Sequence, residues 1–281
     1  MPGLRLLLTG ATGYIGGSIL HTLLETSYPP IQSLEILVLV RGEESAKTLA
    51  AHGLNPITFD NLSDSEPLIE GASKHDIEPS SIGDKPITKE YHEARILFDK
   101  DDLYSYLKGR EEREVYAQRT TDLAAIETGI KHDVKTRGHV EVIGAGEGAW
   151  DQVHVVDLAS LYELLLAKVL DGDKVPYGKT GIFFSETGDV TWGQLAQGLA
   201  SELFLQGVIK TGQVRRLSLE EGAQVFAGGN TQRAELGFAS NSRSRAELSR
   251  ELGWRPTRGR VDFKRSFAQE VKRIASETRR N

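Results

Sequence analysis

The chain has 281 residues, 39% apolar and 26% charged, a globular composition with room for one large α/β domain or a dinucleotide domain plus a smaller lobe. Its net charge of -6 supplies no basic field for a phosphate backbone, so nucleic acid is not expected as a partner. The absence of cysteine excludes a disulfide scaffold, a thiolate nucleophile and a thiolate-bound zinc site, and no two of the scattered histidines share an i, i+4 spacing on a convincing helix, so no metal is expected.

The opening MPGLRLLLTG has an apolar run too short for a secretion signal or a membrane span. It reads as a buried strand, and the expected location is the cytoplasm with no membrane partner. After Thr9 comes GATGYIGGSILHTLLETS, in which Ile15, Ile19 and Leu23 share a helical stripe, so a helix starts near Tyr14. Gly10, Gly13 and Gly16 therefore fall in a strand-to-helix turn. Gly10 permits the tight turn, Gly13 lets the backbone approach a pyrophosphate, and Gly16 lets the helix pack on the strand. The helix N-terminus offers N–H groups and partial positive charge to the phosphates. The segment Gly10, Ala11, Thr12, Gly13, Tyr14, Ile15 and Gly16 is thus the expected dinucleotide contact.

LEILVLV, residues 34–40, reads as the second strand, and Arg41 follows it where NAD-preferring sites place an acid. A guanidinium there can pair with a 2′-phosphate, which favours NADP over NAD, while Glu43 and Glu44 oppose it. EESAKTLAAHG reads as a helix and NPITFDNLSD as a third strand with a polar end. Asp60, Asn61 and Leu62 would lie at its carboxyl edge near an adenine ring, although a simple turn explains the same letters.

A fourth strand should come next, but residues 76–139 offer only ARILF as a short apolar run, and no serine-bearing strand is visible. GREEREVYAQRTTDLAAIETGI reads as a helix with Tyr116, Leu123, Ile126 and Ile130 on one stripe. Further on, VHVVDLASLYELLLAKVL changes from strand to helix periodicity at Asp157, placed to cap the helix, with His154 on the strand before it. Trp150 either lines a pocket or packs between lobes. AQVFAGGNTQRAELGFASNSR reads as a glycine-rich loop, SNSRSRAELSRELGWRPT as a helix between Ser242 and Leu252 beside exposed Arg243 and Arg245, and KRSFAQEVKRIASETRRN as a solvated helix face.

LLLTGATGYIGGSIL, LVLVRG, FDNLSD and VIGAGEGAWDQVHVVDLASLYELLL resemble the atypical and extended short-chain dehydrogenase/reductases, including epimerase/dehydratase-like fungal oxidoreductases. GIFFSETGDVTWGQLAQGLASEL and SNSRSRAELSRELGWRP resemble the substrate lobe of that group. The resemblance implies an α/β, doubly wound, Rossmann-like parallel sheet over residues 1–138, incomplete in 76–138. It also implies a smaller region over 139–281 that contributes a sheet strand and the substrate lobe. Against that pattern two segments are missing, near residues 77–80 and 136–137, so one or more central strands are expected to be absent. The resemblance further implies NADP or NAD as cofactor, a small carbonyl or alcohol substrate, and an architecture compatible with a homodimer.

Active members of the group use a tyrosine with a lysine four residues later. Tyr116 is the candidate, but the fourth residue after it is Thr120, and Arg119 stands one position early. An arginine supplies charge without taking part in proton transfer. An oxidoreductase, a non-catalytic NADP(H)-binding regulator and a truncated inactive member all remain compatible with the chain.

Overall fold

The computed structural model describes residues 4–59, 138–176 and 180–278. The expectations for Asp60, Asn61, Leu62 and Tyr116, and for the central strands, concern residues outside these. The described residues fall into two units: 4–59, 155–176, 180–183 and 248–255 in the first, and 138–154, 184–247 and 256–278 in the second.

The first unit begins with strand β1 (Arg5–Thr9), helix α1 (Tyr14–Glu25) and the short helix α2 (Pro29–Gln32). Strand β2 (Glu35–Arg41), helix α3 (Glu43–Ala51) and strand β3 (Asn55–Phe59) follow. The strands form one sheet in the order β1-β2-β3, and both pairings are parallel, with Thr9 beside Leu39 and Arg41 beside Phe59. Apolar residues on both faces suit β2 to the middle of the sheet: Ile36, Val38 and Val40 on one face and Leu37 and Leu39 on the other are all buried. The reading of β1 as a strand buried throughout needs correction. Leu6 is buried, but Leu7 and Leu8 are half-buried, because among the described residues β1 has a hydrogen-bonded neighbour on one side only.

Helix α4 (Val155–Leu170) packs on α1 and completes this core, in which Ile19, Leu20 and Leu23 meet Ile36, Val38, Val40 and Ala159. The strand ends at Gln152 and the helix starts at Val155, so His154 lies between elements rather than on a strand. Asp157 sits inside the first turn and is buried, one turn too late to be the capping residue. Helix α8 (Glu247–Glu251) is shorter than the expected span to Leu252. It leads to Trp254, which is 2% exposed and donates from its indole Nε1 to the Asp157 carbonyl at 2.9 Å.

The second unit holds two strand pairs. Strands β4 (Val140–Ile143) and β7 (Val214–Leu217) run parallel, and β5 (Ala149–Gln152) and β6 (Gly188–Thr191) antiparallel. Helix α5 (Trp192–Leu205) starts at a capping box: Thr191 accepts from the Gln194 N–H while Gln194 accepts from the Thr191 N–H. Trp150 packs edge-to-face on Trp192, with centroids 4.8 Å apart, and donates to Ser240 Oγ at 3.2 Å. It is part of the core of this unit.

The stretch read as a glycine-rich loop is instead two helices, α6 (Leu219–Phe226) and α7 (Thr231–Phe238). Gly228 and Gly229 form the turn between them, with φ of 59° and 87°, and Asn230 caps α7 by accepting from the Arg233 N–H at 2.8 Å. Helix α9 (Arg260–Thr278) is not merely a solvated face: Phe263, Phe267 and Val271 bury a stripe against α5. Arg243 and Arg245 are exposed, as expected. Among the described residues no helix is long and apolar enough to cross a membrane.

Candidate cofactor site

The turn from β1 into α1 is shaped by backbone contacts. Gly10 has φ of 70°, a left-handed conformation that favours glycine, and its carbonyl accepts from the Gly13 N–H at 2.9 Å. That carbonyl also faces the helix. A Cβ on Gly16 would lie 2.1 Å from Gly10 O and 2.5 Å from Gly10 C, so any side chain there collides with main chain. A Cβ on Gly13 would stand 3.3 Å from the same oxygen, a tight but bearable approach. Gly10 and Gly16 are thus required by the path of the chain, whereas Gly13 is not. Gly13 leaves space at the helix entrance.

Gly13 is the N-cap of α1 in extended conformation, and no side chain caps the helix. The first-turn N–H groups of Tyr14, Ile15 and Gly16 have no partner within the helix, as at any helix start. They point out of the N-terminus together with the positive end of the peptide dipoles. Ala11 is buried at 5% exposure and fastens the loop, while Thr12 and Gly13 are exposed. A glycine at the cap, exposed backbone and no competing side-chain acceptor together fit a diphosphate.

Arg41 closes β2 at the same carboxyl edge of the sheet, exposed, and Gly42 with φ of 79° turns the chain into α3. Glu43 lies 3.5 Å from Lys47 one helical turn on, so its charge has its own counter-ion.

The second unit contains an arrangement that no sequence reading anticipated. A cavity of about 560 Å³ is lined by His139, Glu141, Arg215, Leu217, Glu221 and Gln224. The Glu141 side chain is 2% exposed and lies 3.0 Å from His139 Nε2 and 3.5 Å from Arg215 Nη1; Arg215 Nη2 stands 3.8 Å from Glu221 Oε1. Strands β4 and β7 bring residues 139–141 and 215 together, and nothing in their local sequence announces that pairing. Among the described residues no group of three or more His, Cys, Asp or Glu could hold a metal ion.

No protein-family model matches the chain. The curated protein "Oxidase ucsJ" from Acremonium sp is 24% identical over 331 residues, covering 90% of this chain and 92% of that protein. That alignment is longer than the 281 residues of this chain, so the relative carries segments with no counterpart here. Among solved structures, the Citrobacter sp. triphenylmethane reductase complexed with NADP(H) is 15% identical, with a TM-score of 0.53 over 94% of this chain and 99% of that one. The dTDP-glucose 4,6-dehydratase of Bacillus anthracis in complex with NAD is 13% identical, with a TM-score of 0.51 over 97% of each chain. The UDP-N-acetylglucosamine 4-epimerase of Methanobrevibacter ruminantium is 14% identical, with a TM-score of 0.52 over 99% and 100%. The chain therefore has the α/β fold with parallel strands of the NAD(P)-binding Rossmann enzymes. The structures that share this fold are a reductase, a dehydratase and an epimerase, in agreement with the fold that the resemblance implied.

Proposed function

We propose that this protein is an NAD(P)-dependent oxidoreductase of the short-chain dehydrogenase/reductase type, acting on a small carbonyl or alcohol. The observation that carries the reading is the turn at Gly10–Gly16. Its glycines bring main chain within 2.1 Å of where a Cβ would stand, and it presents an uncapped helix start beside exposed backbone. Gly10, Ala11, Thr12, Gly13, Tyr14, Ile15 and Gly16 hold the pyrophosphate through backbone N–H groups. Asp60, Asn61 and Leu62, outside the described residues, are assigned to the adenine on the sequence alone. The bound nicotinamide supplies or accepts the hydride.

Arg41 selects NADP(H). Its guanidinium stands at the end of β2, where a ribose 2′-phosphate would meet it, and Lys47 engages the neighbouring Glu43. Calorimetric titration of the purified chain with NADPH and NADH tests both points. Tight NADPH binding and weaker NADH binding are expected. Arg41→Ala should weaken NADPH binding by about tenfold or more, the loss of a charge-assisted contact, and leave NADH nearly unchanged. Equal losses for both coenzymes would remove Arg41 from the 2′-phosphate.

A specific observation favours a second reading. Thr120 stands where a lysine would lower the phenol pKa of Tyr116, and the Acremonium oxidase carries segments with no counterpart here, which supports the reading that central segments are absent. A chain of this kind binds NADP(H) without turning it over and serves as a sensor. Binding without hydride transfer to any carbonyl offered would select that reading. The substrate lobe, the homodimer and a cytoplasmic location belong to the proposal as well.

A further inference from the structure

Strand β7 and the start of α6 read Val214-Arg215-Arg216-Leu217-Ser218-Leu219, a run that the cofactor site does not use. Arg215, Arg216 and Ser218 are exposed, while Leu217 is 3% exposed and anchors the run in its unit. The backbone is extended from Val214 to Ser218: residues 214–217 form β7, paired with β4, and Ser218, with φ of -66° and ψ of 168°, is the last extended residue before α6 begins at Leu219. Two guanidinium groups thus stand three and two residues before an exposed hydroxyl, at the point where an extended strand gives way to a helix. An acidic kinase groove reads this pattern, because its carboxylates pair with cations at a fixed reach from the acceptor oxygen.

We propose that Ser218 is the acceptor site of an arginine-directed protein kinase. In the transfer, Ser218 Oγ attacks the γ-phosphorus of kinase-bound ATP and forms a P–O bond. The bond from that phosphorus to the bridging oxygen breaks, ADP leaves, and the hydroxyl proton passes to the catalytic carboxylate of the kinase.

The site is coupled to its surroundings. Ser218 Oγ accepts from the Glu221 N–H at 3.2 Å, and Glu221 accepts from the Ser218 N–H at 2.8 Å. The Glu220 carboxyl is held below its ordinary range by its own backbone N–H first and by the Ser218 hydroxyl second. Arg215 stands 3.5 Å from Glu141 and 3.8 Å from Glu221, too far for a hydrogen bond to either. A phosphate on Ser218 is repelled by Glu220 and Glu221 and attracts Arg215, which withdraws that cation from the buried Glu141. The cavity at β4 and β7 is then the region that senses the modification.

One other run in the same unit has a comparable spacing, Arg273-Ile274-Ala275-Ser276, but its backbone lies within helix α9. It serves as an internal comparison. The native full-length chain is incubated with ATP and the catalytic subunit of cAMP-dependent protein kinase, and phosphate is mapped by peptide mass spectrometry. One phosphate on Ser218 is expected. Ser218→Ala should abolish it, and Arg216→Gln, a change at an exposed side chain that leaves the cap intact, should lower kcat/KM for phosphorylation by about tenfold or more. The proposal is overturned by no phosphate on native chain, by an unchanged level in Ser218→Ala, by labelling that appears only after heat unfolding, or by an unaltered rate in Arg216→Gln.

Discussion

Two glycine-rich stretches, GATGYIGG near the N-terminus and FAGGNTQR in the second unit, carry similar letters and do different work. In the first, a Cβ on Gly16 would lie 2.1 Å from main chain, so glycine is needed for contact. In the second, a Cβ on Gly228 would meet nothing within 4 Å, and glycine is needed only for its φ of 59°. The first turn leaves its helix uncapped, whereas the second hands the chain to Asn230, which caps α7 at once. A turn whose helix start is left open can receive a ligand. A turn whose helix start is already satisfied is a joint.

The largest effect that separates the two follows from Gly16→Val. The branched side chain meets the Gly10 carbonyl and should cost about 3 kcal/mol or more, read as a lowered urea midpoint. A midpoint within error of the wild type would mean that α1 does not approach β1 as described. Gly228→Ala should cost less, about 1 kcal/mol, the penalty of a left-handed alanine in open space. It should leave coenzyme affinity unchanged; a coenzyme defect here would erase the distinction between the turns.

A smaller effect sharpens the contrast further, because the second unit carries a titrating weakness that a turn made of backbone lacks. Burial raises the Asp151 carboxyl above its ordinary range, the Ser244 hydrogen bonds oppose this, and the charges of Glu186 and Asp189 add to the rise. Asp189 sits directly opposite Asp151 across the β5–β6 pair. The folded form therefore holds this proton more firmly than the unfolded form. Its contribution falls as pH rises from the ordinary carboxylate range through the raised value. Asp151→Asn keeps a side-chain acceptor for the Ser244 N–H and should flatten that slope in thermal melts across mildly acidic pH. An identical slope in the variant would place the effect on other groups.

The contrast also explains how much could be read from the letters. Strand β1, helix α1, strand β2 and helix α3 were legible because apolar periodicity and glycine spacing are local signals, and the observed bounds lie within a residue or two of those expected. The helices at 219–226 and 231–238 were missed because two adjacent glycines and an asparagine look like a loop unless the caps on either side are weighed. His154 was misplaced because Val-His-Val alternates like a strand, while the helix takes Val155 as its first residue. The Glu141 arrangement was out of reach: residues 139–141 meet Arg215 only through the parallel pairing of β4 with β7, a tertiary fact.

The central claim rests on Gly13, whose replacement the fold tolerates and the ligand should not. Calorimetric titration of Gly13→Ala with NADPH, beside the wild type and with the urea midpoint of each recorded, isolates the site from the fold. The account predicts a midpoint within about 1 kcal/mol of wild type, since the new Cβ stands 3.3 Å from Gly10 O, and an affinity lower by about tenfold or more. Wild-type affinity in Gly13→Ala, or no NADPH binding by the intact wild-type chain, would contradict it.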